Sequence, residues 1–185
     1  MIKIEANTQG LEQAIKLLRN TPKKLNLAQR SALSRTVSHM KTRLAQLGNE
    51  KYYAKSSEIK KSLSVKTGNN LGQVISRGKK KSIADYYLSP RKQKLGRRQG
   101  KLRGAVKRDG IKSLGKAFLV PLGGKYYPYV RVGKGRWDIK RLISPAIPQI
   151  LGNQEITERL TGETLKFYNQ RLNHEIMRQL GIFTV

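Results

Sequence analysis

The segment Gly110-Ile111-Lys112-Ser113-Leu114-Gly115-Lys116-Ala117 comes closest to a motif that does chemistry. It nearly matches GxxxxGK[ST], whose backbone amides cradle phosphates and whose final hydroxyl meets magnesium. Ala117 has no hydroxyl, no buried strand leads into Gly110, and the sequence predicts a strand after Lys116. No helix N-terminus would then face a phosphate, so the match reads as coincidence in a Gly- and Lys-rich tract. His39 and His174 lie on predicted helices at opposite ends of the chain and read as partly exposed helix residues. No HExxH pattern or ligand cluster accompanies them, and cysteine is absent. That excludes disulfides, zinc-finger spacing and thiol catalysis. Glu155, Glu158 and Glu163 open the last predicted helix, where they complement the positive end of its dipole. No carboxylate cluster for two-metal chemistry is visible. The expectation is a non-enzymatic chain with no metal, no cofactor and no small-molecule substrate.

What remains is positive charge. The 185 residues hold 39 Lys and Arg against 11 Asp and Glu, a formal net charge of +28. A small soluble domain ordinarily carries a net charge of about 2–8, and a larger excess repels itself. Residues 77–116 alone hold 15 cations and 2 acids. The candidate polyanion-binding residues are Lys79, Lys80, Lys81, Arg91, Lys92, Lys94, Arg97, Arg98, Lys101, Arg103, Lys107 and Arg108. Each neutralised phosphate releases a condensed counterion, so six to ten contacts would dominate binding at low salt. No aromatic residue falls between Arg91 and Lys116. The tract therefore lacks a platform for base stacking and is expected to touch backbone without reading sequence.

These side chains must be positioned by the surrounding elements. Ile2 and Ile4 alternate with Lys3 and Glu5, the pattern of a short strand. Leu11, Ile15 and Leu18 recur at helical spacing. Pro22 can open a second helix, where Leu33, Val37, Met40, Leu44 and Leu47 line one face before Gly48. A short helix is expected near Ile59 and Leu63. Strands are expected over 64–67 and 71–77 about the turn Gly68-Asn69-Asn70, and over Ile83 to Leu88. The 91–116 tract buries too little apolar surface to offset its ordering entropy and is expected to be a flexible basic loop. Its deletion over 91–112 is then expected to spare the fold.

Beyond it, 117–122 and 126–132 read as a hairpin around Gly123-Gly124, and Trp137 to Ile143 as a strand. Ser144 to Pro148 reads as an extended link. Asn153 can cap a last helix carrying Ile156, Leu160, Tyr168, Leu172, Ile176 and Leu180, with Leu165, Phe167 and Met177 widening that face up to Gly181. Tyr86, Tyr87, Tyr126, Tyr127 and Tyr129 fall on predicted strands and read as sheet packing. The whole is expected to be one α+β domain over 1–185. Long N- and C-terminal helices would pack on a central, mainly antiparallel sheet, with the basic loop inserted. The N-terminus has no apolar run of signal-peptide type, and no stretch reaches the ~20 apolar residues of a membrane span, so no membrane partner is expected.

The order of these features resembles the minor tail protein Z family of tailed phages, the tail completion proteins. The resemblance runs through Gly10-Leu11-Glu12-Gln13-Ala14 and a long helix with small residues Ala28, Ser31, Ala32 and Ser34. It continues through Ala117-Phe118, Gly135-Arg136-Trp137, the Pro145–Pro148 link and the charged last helix. It implies a structural protein at the head-proximal end of the tail, where tail joins head. It further implies a homo-oligomeric ring with the tail's symmetry, a hexamer, packed against tail terminator and other neck proteins. Phage DNA would thread that ring. The location implied is the virion tail or neck, after assembly in the host cytoplasm. The alternative from another class is a free nucleic-acid-binding protein, nucleoid-associated or an RNA-binding assembly factor.

Overall fold

The computed structural model describes residues 2–5, 22–68, 70–92 and 100–180. The helix expected over Leu11–Leu18 and the stop at Gly181 lie outside the described residues, as do Lys94, Arg97 and Arg98.

Two long helices frame the molecule. α1 (Pro22–Lys51) starts at its proline, which has no amide hydrogen to leave unpaired in a first turn. α4 (Gln154–Leu180) runs antiparallel to it: Lys51 meets Glu155, Arg43 meets Glu163 and Arg35 meets Glu175. Between them Ala28, Ala32 and Leu33 pack against Tyr168, Leu172 and Ile176. The two small alanines bring the backbones close and leave room for the tyrosine ring. Leu165 and Met177, expected on the packed face, are exposed. The face turned to α1 is the four-residue row Ile156, Leu160, Thr164, Tyr168, Leu172 and Ile176, narrower than the sequence implied.

A second part of the core joins α1 to the sheets. Val37, Met40, Leu44 and Leu47 bury themselves with Ile59 of α2 (Ser56–Ser62), Leu63, Val74 and Tyr86. β1 (Ile2–Glu5) and β2 (Leu63–Thr67) flank β3 (Leu71–Ser76), all antiparallel, with Val65 opposite Val74. β3 crosses α1 so closely that a Cβ on Gly72 would lie 2.3 Å from Val37 Cγ2. Only glycine fits there.

The fold is α+β as expected, but the sheet is not one central layer. Among the described residues four small sheets take its place, because the strands are short and are broken by turns. The strand expected over Ile83–Leu88 is divided. β4 (Lys81–Ser82) gives way to a 3₁₀ turn at Ile83–Asp85, followed by β5 (Tyr87–Ser89). The Ser82 hydroxyl accepts from Ala84 N (3.3 Å) and the Asp85 carboxylate accepts from Ser82 N (3.1 Å), a capping box that stops the strand.

The loop expected over 91–116 is corrected for its second half. β6 (Arg103–Ala105) pairs with β5 on one side and with β7 (Lys112–Ser113) on the other. Leu102 is fully buried with Leu88 and Leu119, and Gly104 and Ala105 are buried too. A few apolar and small residues were enough to anchor a stretch that composition alone marks as unordered.

β8 (Phe118–Leu122) and β9 (Lys125–Arg131) form the expected hairpin. Its two-residue turn holds Gly123 at φ 57° and Gly124 at φ 75°, where side chains are strained. The strand expected from Trp137 begins only at β10 (Ile139–Arg141), which pairs with β9. After Leu142 the chain switches to β4 through β11 (Ile143–Ser144). The link expected to be extended through Pro148 becomes a short helix, α3 (Ile147–Leu151). The Gln149 side chain accepts from Ala146 N (3.0 Å), and Pro148 sits in the first turn, where its missing amide costs nothing.

Leu102→Ala is expected to cost about 2–5 kcal/mol in a urea titration, the range for a fully buried leucine. Deleting 91–112, which removes β6 with Leu102, is expected to abolish cooperative unfolding rather than spare the fold. Glu163 accepts from Arg43 Nε and Nη2 (2.5 and 3.0 Å). The Arg43 hydrogen bonds hold the Glu163 carboxyl below its ordinary pKa, against a smaller opposing effect of burial. A lowered folded-state pKa stabilises above the unfolded value and is lost as pH falls through the folded one. Glu163→Gln is therefore expected to cost about 1 kcal/mol at neutral pH. That difference should shrink toward zero as pH falls below the usual glutamate range.

Candidate nucleic-acid interface

Charge is divided between the two halves of the fold. Five of the 11 acids (Glu50, Glu155, Glu158, Glu163 and Glu175) sit on α1 and α4. Four of them pair with cations of the same helices. Glu50 lies 3.3 Å from Arg159 and 3.6 Å from Arg43, and Glu155 meets Lys51. Fully buried Glu175 lies 2.7 Å from Arg178 and 3.5 Å from Arg35. Residues 60–140, which carry most of the strands, hold 23 Lys and Arg against only Asp85, Asp109 and Asp138, a net of +20. Two of those acids are spent on backbone: Asp85 on Ser82 N, and Asp138 on Gly135 N (3.0 Å).

The sequence-derived residues separate within this half. Lys79, Lys80, Arg91, Lys92, Lys101, Arg103 and Lys107 are exposed and have no ion-pair partner among the described residues. Lys81 is engaged with Glu58, and its backbone pairs with Ser144. Arg108 is a brace. Its Nε donates to Asn49 O (2.8 Å), its amide donates to Lys51 O (3.1 Å), and its guanidinium lies 5.1 Å from the Tyr53 ring centre. It ties the segment after β6 to the end of α1. Lys94, Arg97 and Arg98 fall outside the described residues.

Arg91 and Lys92 come together with residues that the linear tract did not contain. They rim a cleft of about 440 Å3 whose walls include Tyr53, Tyr87, Tyr126 and Tyr127, with Lys55 and Lys125 on the same rim. Tyr53 and Tyr87 rings meet at 4.9 Å, and Arg141 lies 3.6 Å over Tyr127. The two acids lining the cleft are occupied, Glu58 by Lys81 and Asp85 by Ser82 N. The rim therefore presents four cations to a ligand, over half-buried aromatic walls. Tyr53, Lys55 and Lys125 were not legible as site residues. They are isolated in sequence, and only the packing of β5 and β9 beside the α1–α2 connection gathers them.

Tyr86, by contrast, is core: burial raises its hydroxyl pKa, and the hydroxyl donates to Pro145 O (3.1 Å). A second cleft of about 470 Å3 lies between the end of α1 and the start of α4. Its four cations, Lys51, Lys107, Arg108 and Arg159, stand against three acids, Glu50, Asp109 and Glu155. Lys51 and Arg159 already face Glu155 and Glu50, so it offers an anion little net field. His39 stacks on Phe167 at 4.0 Å with rings nearly parallel, and His174 is exposed. The near phosphate loop at Gly110–Ala117 contains β7 and leads into β8, so no helix follows its lysine.

Changing Lys79, Lys80, Arg91 and Lys92 together to Gln is expected to leave the urea midpoint nearly unchanged, because all four are exposed and unpaired. The slope of log K against log salt for duplex DNA should become shallower, by about 0.9 for each phosphate that the variant no longer neutralises. A filter-binding titration across salt concentrations measures both the slope and the fall in affinity. No family model matches this chain, and neither the curated proteins nor the solved structures contain a match to it.

Proposed function

We propose that this chain is a structural protein that contacts the backbone of DNA without reading its sequence. The observation that carries the reading is the net +20 of residues 60–140, whose described cations lie on short strands and on the connections beside them, while the acids of the long helices are paired with cations of those same helices. Unpaired cations on a fixed surface gain by releasing counterions from a polyanion. The exposed cations from Lys79 to Lys107, with Lys55 and Lys125, are the residues assigned to that contact. The placement of the protein in a tailed-phage neck, as a ring at the head-proximal end of the tail, rests on the resemblance in feature order described above. A ring suits this charge distribution: several copies could line a channel with the sheet side facing a DNA end.

The test is binding to duplexes of unrelated sequence. Affinities are expected to agree within a few-fold and to fall steeply with salt. A strong preference for one sequence, or binding indifferent to salt, sinks the proposal. Mass measurement of the purified chain, alone and with DNA, tests the ring. A persistent monomer that coats duplex tightly would instead favour a free nucleic-acid-binding protein.

A further inference from the structure

Trp137 is the chain's single tryptophan and, at 81% exposure, the most exposed large apolar side chain among the described residues. It stands on the loop between β9 and β10, and that loop is tightly built. Val132 N donates to Asp138 O (2.9 Å), and the Asp138 carboxylate accepts from Gly135 N (3.0 Å). A Cβ on Gly133 would lie 2.4 Å from Asp138 Oδ2, and one on Gly135 would lie 2.8 Å from it. The two glycines let the chain wrap the carboxylate. Arg131 Nη1 reaches the carbonyls of Gly135 and Arg136 (3.5 Å each). The loop thus spends its one acid internally and turns an indole outward directly after Arg136 and three residues past Lys134, both exposed. The Arg136 guanidinium lies 5.5 Å from the indole ring centre. β8 starts at this same end of the hairpin, since Phe118 pairs with Tyr129, so the turn that carries Lys116 enters the sheet at this end.

An indole held in water by a braced, cationic loop is poorly explained as packing. We infer that Trp137 is a stacking platform for an unpaired base, as at a single-stranded or frayed DNA end, with Lys134 and Arg136 taking the adjoining phosphates. A base has a flat face whatever its identity, so this contact is as indifferent to sequence as the backbone contact. The braced loop keeps the ordering cost of binding low. Duplex DNA keeps its bases stacked on one another and offers the indole no such face except at its ends. The inference rests on the DNA-contact reading and adds a preference for strand ends to it.

The single tryptophan makes the test direct. Excited at the red edge, where tyrosine does not absorb, its fluorescence reports Trp137 alone. Titration with a short oligothymidylate is expected to quench that emission strongly, whereas a closed DNA hairpin duplex without free ends is expected to quench it little. Trp137→Ala should weaken oligothymidylate binding roughly tenfold, the worth of one stacked base, and leave hairpin-duplex affinity within about twofold. Trp137→Phe should recover most of the loss. Unquenched emission at saturating oligothymidylate, or equal affinities of parent and Trp137→Ala, overturns the inference and leaves the loop as a surface for protein docking. If the parent chain binds neither DNA, the DNA-contact reading itself fails, and that outcome is distinct from binding that ignores Trp137.

Discussion

Self-repulsion is the constraint on which the structure depends. A chain of net +28 must bring its cations within a few Debye lengths of one another when it folds, and each approach costs free energy. The fold meets this by using its few acids where the two long helices touch. Arg43 binds both oxygens of Glu163, which Arg159 also approaches at 3.2 Å, while Arg159 and Arg43 share Glu50. Such a network loses less side-chain entropy per contact than isolated surface pairs, which are individually worth little. The apolar seam of Ala28, Ala32, Leu33, Tyr168, Leu172 and Ile176 then closes with little charge conflict across it. With those acids used there, the segment from 60 to 140 keeps an excess of cations, most of which have no ion-pair partner among the described residues.

That division explains what could be read from the sequence and what could not. The long helices, the β2–β3 and β8–β9 hairpins and the short helix near Ile59 follow from local periodicity and from Gly turns, so they were legible. The failures share a cause. Ser82–Asp85 makes its own capping box of two hydrogen bonds, and Gln149 caps the turn at Ala146 with one; these few side-chain contacts override an apolar run and a proline-rich link. Residues 100–116 failed differently. Composition counts charge, but order there depends on Leu102 finding Leu88 and Leu119, partners 14 and 17 residues away in the chain. No local window contains that contact.

The candidate site shows the same split. Charge density located Lys79 to Lys107, because clustering in sequence survives any fold that keeps those residues outside. Charge density also nominated Lys81 and Arg108, which the structure uses internally, one on Glu58 and the other on Asn49 O and Tyr53. A cation's type does not reveal whether a carboxylate or carbonyl will reach it. The reverse error is Lys55, Lys125 and Tyr53, unremarkable singly and brought to one cleft only by tertiary packing.

A cationic surface on short strands has a plainer use, and its weight can be judged. Small sheets expose many edges, and lysine on an edge strand blocks pairing with another chain. One or two such residues per edge suffice, and β7, with Lys112, is the kind of edge they protect. Edge protection does not call for 23 cations against 3 acids, nor for acids diverted to backbone caps while cations on the cleft rim stay unpaired. Nor does it call for rigidity. A floppy arm would bind a polyanion at the cost of ordering itself, whereas Arg103 on β6 and the cations around the tyrosine cleft stand on backbone that is already folded. Rigid placement fixes the spacing between charges, and fixed spacing favours a partner whose own charges are regularly spaced. A nucleic-acid backbone has that regularity; a disordered acidic tail does not.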